Sequence, residues 1–197
     1  MTRFMMLATW CALGGGLVAQ PAPPATAERQ AMVDLARPGP EHAALEALEG
    51  QWTRDVTYTM GGGRQMKGRG TATNRMILGG RFLQSDHSTS IPASAAMPAT
   101  TTESMTIYGF DTRTREFTLL ELDTMGTYWV TASGRTAPPS MVMSGETLDD
   151  HGGRREIRRY DMVLRIVDVD AYVTQIIFTF DGAPALTLVD AVHRRMK

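Results

Sequence analysis

Leu45-Glu-Ala-Leu-Glu-Gly-Gln-Trp52 is the stretch on which the fold turns. Leu45 and Leu48 stand three residues apart, on one side of a helix, and Gly50 ends that spacing. From Trp52 the chain alternates instead, as Trp52-Thr-Arg54-Asp-Val56-Thr-Tyr58-Thr-Met60. A helical stop and an immediate strand start predict a short helix over 41–48 that covers one end of a sheet. Period-two geometry puts Trp52, Arg54, Val56 and Tyr58 on one strand face.

Working downstream, Gly61-Gly-Gly63 is a turn that joins this strand to a weaker one over 64–74. Adjacent Phe82 and Leu83 interrupt the alternation of the next segment and predict a bulge or an edge position. Residues 91–102 hold Pro92 and Pro98 and few large apolar groups, so a loop is expected there, either a lid at one rim or a surface excursion. Asp111-Thr-Arg-Thr114 separates two alternating runs, and the Asp111 carboxylate is suited to accept backbone N–H groups in that turn. Further strands are expected over 127–133, 140–148, 154–167, 171–181 and 185–193, separated by short turns at 149–153, 168–170 and 181–182. Roughly nine or ten strands with short connections exclude long crossover helices and predict an all-β antiparallel meander. Closure into a barrel removes exposed edges; a sandwich is the alternative.

The N-terminus reads differently. Met1-Thr-Arg3 precedes the apolar run Phe4–Ala19, which ends in small residues, so 1–19 is expected to be a secretory signal peptide and the protein periplasmic or secreted. The Pro- and Ala-rich residues 20–40 are expected to form a flexible leader with a helical turn over Glu28–Leu35, and 41–197 the domain. Cys11, the one cysteine, leaves with the signal; this excludes disulfides, zinc–thiolate sites, iron–sulfur clusters and a cysteine nucleophile from the mature chain. Arg3 leaves too, so 20 basic residues become 19 against 21 acidic ones. That balance gives no reason to expect nucleic acid, and no integral membrane segment remains after cleavage.

Several motifs resemble the DUF1579 proteins, a family of uncharacterised function: Leu45-x-x-Leu-x-Gly50-x-Trp52, Leu78-Gly-Gly-Arg-Phe82, Tyr108-Gly-Phe-Asp111 with Phe117, and Asp123-x-Met-Gly-Thr127. The resemblance spans roughly residues 41–197 and implies a lipocalin-like, calycin-type closed or nearly closed barrel, with no catalytic residues to carry over.

Within such a barrel Gly50, Trp52, Asp111, Asp190 and Arg194 are expected to be structural. A late-strand arginine could stack on Trp52 while donating to helix carbonyls; of Arg158, Arg194 and Arg195, Arg194 is favoured because it lies on the terminal strand. Leu186-x-Leu188-x-Asp190-x-Val192 sets Asp190 on an apolar face, where an arginine partner is expected. Ligand-contact candidates are Arg54, Tyr58, Glu121, Asp123, Tyr128, Arg158 and His193. His193 is expected to be a hydrogen-bonded histidine rather than a haem ligand. His42, His87, His151 and His193 show no metal-ligand spacing, and Asp86-His87-Ser88 cannot form a triad, because neighbouring residues in a strand point apart. No cofactor or metal is implied. The leading functional expectation is binding or sequestration of a small apolar molecule in the barrel. The alternatives are a packed structural or protein-interaction module, and an enzyme built on Glu121, Asp123, Arg158 and His193.

Overall fold

The computed structural model describes residues 25–94, 98–149, 155–180 and 182–197. The expected signal segment 1–19, Cys11, and most of the 149–153 turn with His151 lie outside the described residues. Two compact units divide at Leu35. In the first, the expected helical turn is a ten-residue helix, α1 (Thr26–Leu35). Glu28 accepts the Ala25 N–H at its start, and Gln30 donates to Asp34 one turn on. No helix among the described residues is long and apolar enough to cross a membrane.

The second unit starts with α2 (Pro40–Glu46) and continues as β1 (Gly50–Thr59), β2 (Gln65–Ile77), β3 (Phe82–Ile91), β4 (Thr100–Asp111) and β5 (Glu116–Asp123). It ends with β6 (Trp129–Gly134), β7 (Ser140–Asp149), β8 (Glu156–Asp168), β9 (Ala171–Phe180) and β10 (Ala183–Arg195). Each strand pairs antiparallel with the next, and β10 returns to β1, so the ten strands close a lipocalin-like barrel. The closing register, from Trp52 opposite Arg195 to Tyr58 opposite Val189, removes the sandwich alternative. Gly62 and Gly63 take φ 75° in the β1–β2 turn, which only glycine does without strain.

Phe82 and Leu83 make no bulge. The β2–β3 and β3–β4 registers run unbroken through both residues. Leu83 points into the core, while Phe82 lies outside over Gly109, where a Cβ would meet its ring at 2.7 Å. The register shifts fall instead between Ala183 and Leu186, between Thr187 and Val189, and between Ile166 and Asp168. Asp111 caps its hairpin as its position predicts, accepting the Arg113 N–H at 2.9 Å.

α2 packs against β3 and β4, and its Leu45, with Leu48 from the turn after it, joins a cluster with Trp52, Leu83 and Phe117. Trp52, 1% exposed, donates its indole N–H to the Leu48 carbonyl. The arginine over the indole is Arg195, 4.1 Å from the ring centroid, and not Arg194. Arg195 donates to the Ala47 and Glu49 carbonyls, whereas Arg194 faces solvent and pairs with Asp55. The difference is one of parity: the residue opposite Trp52 shares its face, and that residue is Arg195. The same parity turns Asp190 outward, where its partner is Gln175 at 3.3 Å instead of an arginine. Gly50 has φ 128°, and a Cβ there would stand 2.7 Å from the Arg195 guanidinium.

Urea unfolding tests this closure. Arg195→Ala should cost about 2–4 kcal/mol, from the lost cation–π contact and the charged hydrogen bonds. Gly50→Ala should cost about 1–3 kcal/mol through backbone strain. Arg194→Ala should change stability by less than about 0.5 kcal/mol. Equal losses at 194 and 195 would contradict the assignment.

Candidate functional site

The barrel interior is apolar at the α2 end and polar in its middle. Arg54 on β1 lies opposite His193 on β10 and Gly70 on β2, and Gly70 lies opposite Thr89 on β3. His193, Arg54 and Thr89 therefore form one row around the wall, with no side chain between Arg54 and Thr89. A Cβ on Gly70 would collide with the Ser88 carbonyl, so the gap is built into the β2–β3 contact. All three residues are buried, and each holds a buried polar atom without a partner: His193 Nδ1, Arg54 Nε and Thr89 Oγ1. Glu121 on β5 adds a fourth, Oε2. Buried polar groups are seldom left unmatched, and these four stand on inward positions without a partner among the described residues.

A chain of hydrogen bonds leads from α2 into this region. Asn74 donates to the Leu48 carbonyl at 2.9 Å and to the Tyr172 hydroxyl at 3.2 Å, so its amide oxygen is left for the Ser85 hydroxyl at 2.5 Å. Ser85 has one proton, already given to Asn74; His87 Nε2, at 2.6 Å, must then donate to Ser85. His87 Nδ1 is left as an acceptor for Ser104 at 3.1 Å. Ser104 thus faces an imidazole whose basicity is low. Burial, and then the Arg54 charge, push the His87 pKa down to about 3.

Burial is the largest cause of the shifts of His87, His193, Tyr108, Tyr172 and Glu121, and the Arg54 charge contributes to each of them. Burial, with smaller contributions from Arg54 and His87, lowers His193 to about 2. Its Nε2 meets Thr174 at 3.1 Å, and its ring stacks on Tyr172 with centroids 4.1 Å apart. Part of Glu121 reaches the surface, yet its carboxyl is sealed; burial, then Asp123, raise it to about 7, against the pull of Arg54. Neutral histidines and a half-protonated carboxyl leave Arg54 as the dominant charge.

The other expected contacts divide. Tyr58 is on the inner face, half-buried and opposite Val189. Asp123 is exposed and caps the next turn by accepting the Met125 N–H. Tyr128 is 62% exposed on the loop before β6, outside the barrel. Arg158 stacks over Phe180 at 4.7 Å and ion-pairs with Glu156 at 2.9 Å. Asp123 and Arg158 are thus held by partners outside the row that contains His193. Thr89, Ser85, His87 and Ser104 were not foreseen; strand alternation within 83–91 could have placed the first three on one face.

A cavity of 530 Å³ lies on the β2–β5 wall, bounded by the outward-facing Thr71, Thr73, Asp86, Glu103 and Leu122 and also by His87 and Ser104 of the interior hydrogen-bond chain. Asp86 there is already matched by Arg75 and Gln84, so the groove lacks the unmatched buried atoms of the interior. Among the described residues no group of three or more His, Cys, Asp or Glu could hold a metal ion.

The model of a family described as "Protein of unknown function (DUF1579)" matches residues 37–195. The crystal structure of Rv2717c from M. tuberculosis has a TM-score of 0.53 with this chain at 16% identity, covering 82% of this chain and 100% of that one. The S-type phycobiliprotein lyase CPES from Guillardia theta gives a TM-score of 0.45 at 10% identity, covering 81% and 99%. At 16% identity the likeness to Rv2717c concerns the fold alone. No curated protein matches the chain.

The pKa shifts fix a pH dependence. Between about 6.5 and 3 the unfolded chain protonates His87 and His193 while the barrel does not, so stability is lost as pH falls from 6.5. Glu121 has the opposite sign: its folded value is raised from 4.5 to about 7, a contribution present below 4.5 and lost as pH rises through 7. Two histidines outweigh one carboxyl, so the urea midpoint should fall from pH 6.5 to pH 4.5. In NMR titration the His87 and His193 ring protons should stay unshifted down to about pH 5, where an exposed histidine has already titrated.

Proposed function

The chain belongs to the DUF1579 family, which has no assigned function, and we propose that its barrel binds one small, largely apolar molecule through a polar group seated against Arg54, Thr89 and His193. The observation that carries this reading is the set of unpartnered buried atoms on that row. Apolar inner-face neighbours follow on the side away from α2. Val56 lies opposite Ala191, and Val189 lies between Tyr58 and Ile176. They supply a surface for the apolar remainder of a ligand, with Tyr58 and Glu121 available to orient it. We further propose export through residues 1–19, which places binding in the periplasm or outside the cell. The exposed Tyr128, Trp129 and Ile157 favour the second reading, a packed barrel that contacts another protein.

Native mass spectrometry of the protein isolated from its own cells, followed by denaturing extraction, tests both readings. Binding is expected to appear as a one-to-one adduct that Thr89→Val weakens about tenfold. An empty barrel that co-purifies with a protein partner would favour the second reading. Mature chains beginning between Gln20 and Glu28 are expected in the exported fraction; recovery of Met1 there would count against cleavage.

A further inference from the structure

Resting on the binding reading above, we infer that the bound molecule carries one negative charge on an oxyanion head of the carboxylate class, and that Arg54 receives it. Arg54 is 9% exposed, and its Nε is buried without a hydrogen-bond partner among the described residues. A guanidinium stays cationic in proteins, and a buried charge without a partner is among the costliest arrangements a fold can hold. The chain supplies no full anion in contact with Arg54. Asp55, next in sequence, points outward to Arg69 and Arg194. Glu121 forms no salt bridge with Arg54, and burial keeps much of its carboxyl protonated near neutral pH. Arg158 and Arg195, which share the inward parity, are engaged by Glu156 and Asp170.

The row around Arg54 fits a planar, two-oxygen head. One oxygen can accept from the Arg54 Nε–H, and the other from the Thr89 hydroxyl or a His193 Nδ1–H. Gly70 leaves the wall between Arg54 and Thr89 without a side chain. The charge count selects the head. One unmatched cation balances one negative charge, and a phosphate monoester would bring a second with no cation to meet it.

Isothermal titration calorimetry of the full chain with octanoate, octan-1-ol and octylamine tests the head group on a constant tail. Octanoate is expected to bind one-to-one and about tenfold or more tighter than octanol, with octylamine weakest. Arg54→Met should abolish the preference and raise the melting temperature of the ligand-free protein, because it removes an unmatched buried charge. Arg54→Lys should keep part of the preference. Octanol binding as tightly as octanoate would overturn the oxyanion assignment and leave barrel binding standing. Failure of all three probes to bind would overturn both. A lower melting temperature in Arg54→Met with unchanged selectivity would make Arg54 a packing residue and overturn the assignment as well.

Discussion

The stack of Arg195 on Trp52 joins the last strand to the first, and the barrel depends on it. This seam links residues farthest apart in sequence, where chain entropy opposes contact most. It also resolves a difficulty of α2. The carbonyls of Ala43, Leu45 and Glu46 accept from the Ala47, Leu48 and Glu49 N–H groups of the turn after α2, but the Ala47, Leu48 and Glu49 carbonyls of that turn need partners in their place. The barrel provides them: Arg195 donates to Ala47 and Glu49, and Trp52 and Asn74 both donate to Leu48. Arg195 reaches Val169 as well, so one guanidinium ties α2, β10 and the β8–β9 turn. Gly50 is the opening through which this is sterically allowed.

Asn74 carries the consequences inward. Its nitrogen is committed to the cap and to Tyr172, which fixes its oxygen toward Ser85 and, through Ser85, the tautomer of His87. The cap and the polar interior are therefore one hydrogen-bonded structure. A fully matched chain of this kind adds rigidity, and beside it the unmatched atoms of Arg54, Thr89, His193 and Glu121 stand out. A barrel selected for stability alone would fill those inward positions with aliphatic side chains. Polar groups that destabilise the ligand-free fold point to a role that stability does not explain.

The strand rhythm, the hairpin at Asp111 and the inward face of β1 were legible because each is local: alternation and turn chemistry lie within a few residues. The faces of β10 were only half legible. His193, a ligand-contact candidate, lies on the inward face, but Asp190 and Arg194 were assigned roles that belong to that same inward face. Deciding between Arg194 and Arg195 requires the β1–β10 register, set by closure of the whole sheet and not by neighbours in sequence. The row from His193 to Thr89 is less legible still, since it joins positions on four strands and hinges on a glycine. Tyr128 was a ligand-contact candidate within an expected strand over 127–133, yet β6 begins one residue later and the tyrosine side chain is exposed.

The two ends of the barrel differ in how firmly they are held. At the α2 end the cap is fastened by side chains from β1, β2 and β10. Away from it, β6 registers with β7 through Ala132 opposite Gly145 and Ser133 opposite Ser144, and the pairing stops before Trp129 and Val130. Tyr160 spans this thin seam by donating to the Thr131 carbonyl over Gly145, where any Cβ would strike its hydroxyl. Fewer backbone bonds and one side-chain staple give that wall a lower cost of local opening than the capped end. Arg54 and His193 sit instead on the β1–β10 seam, whose register runs unbroken from Trp52–Arg195 to Tyr58–Val189. The Arg54–His193 pair of the polar row is thus held by the continuously paired seam, on the far side of the barrel from the thinly paired one.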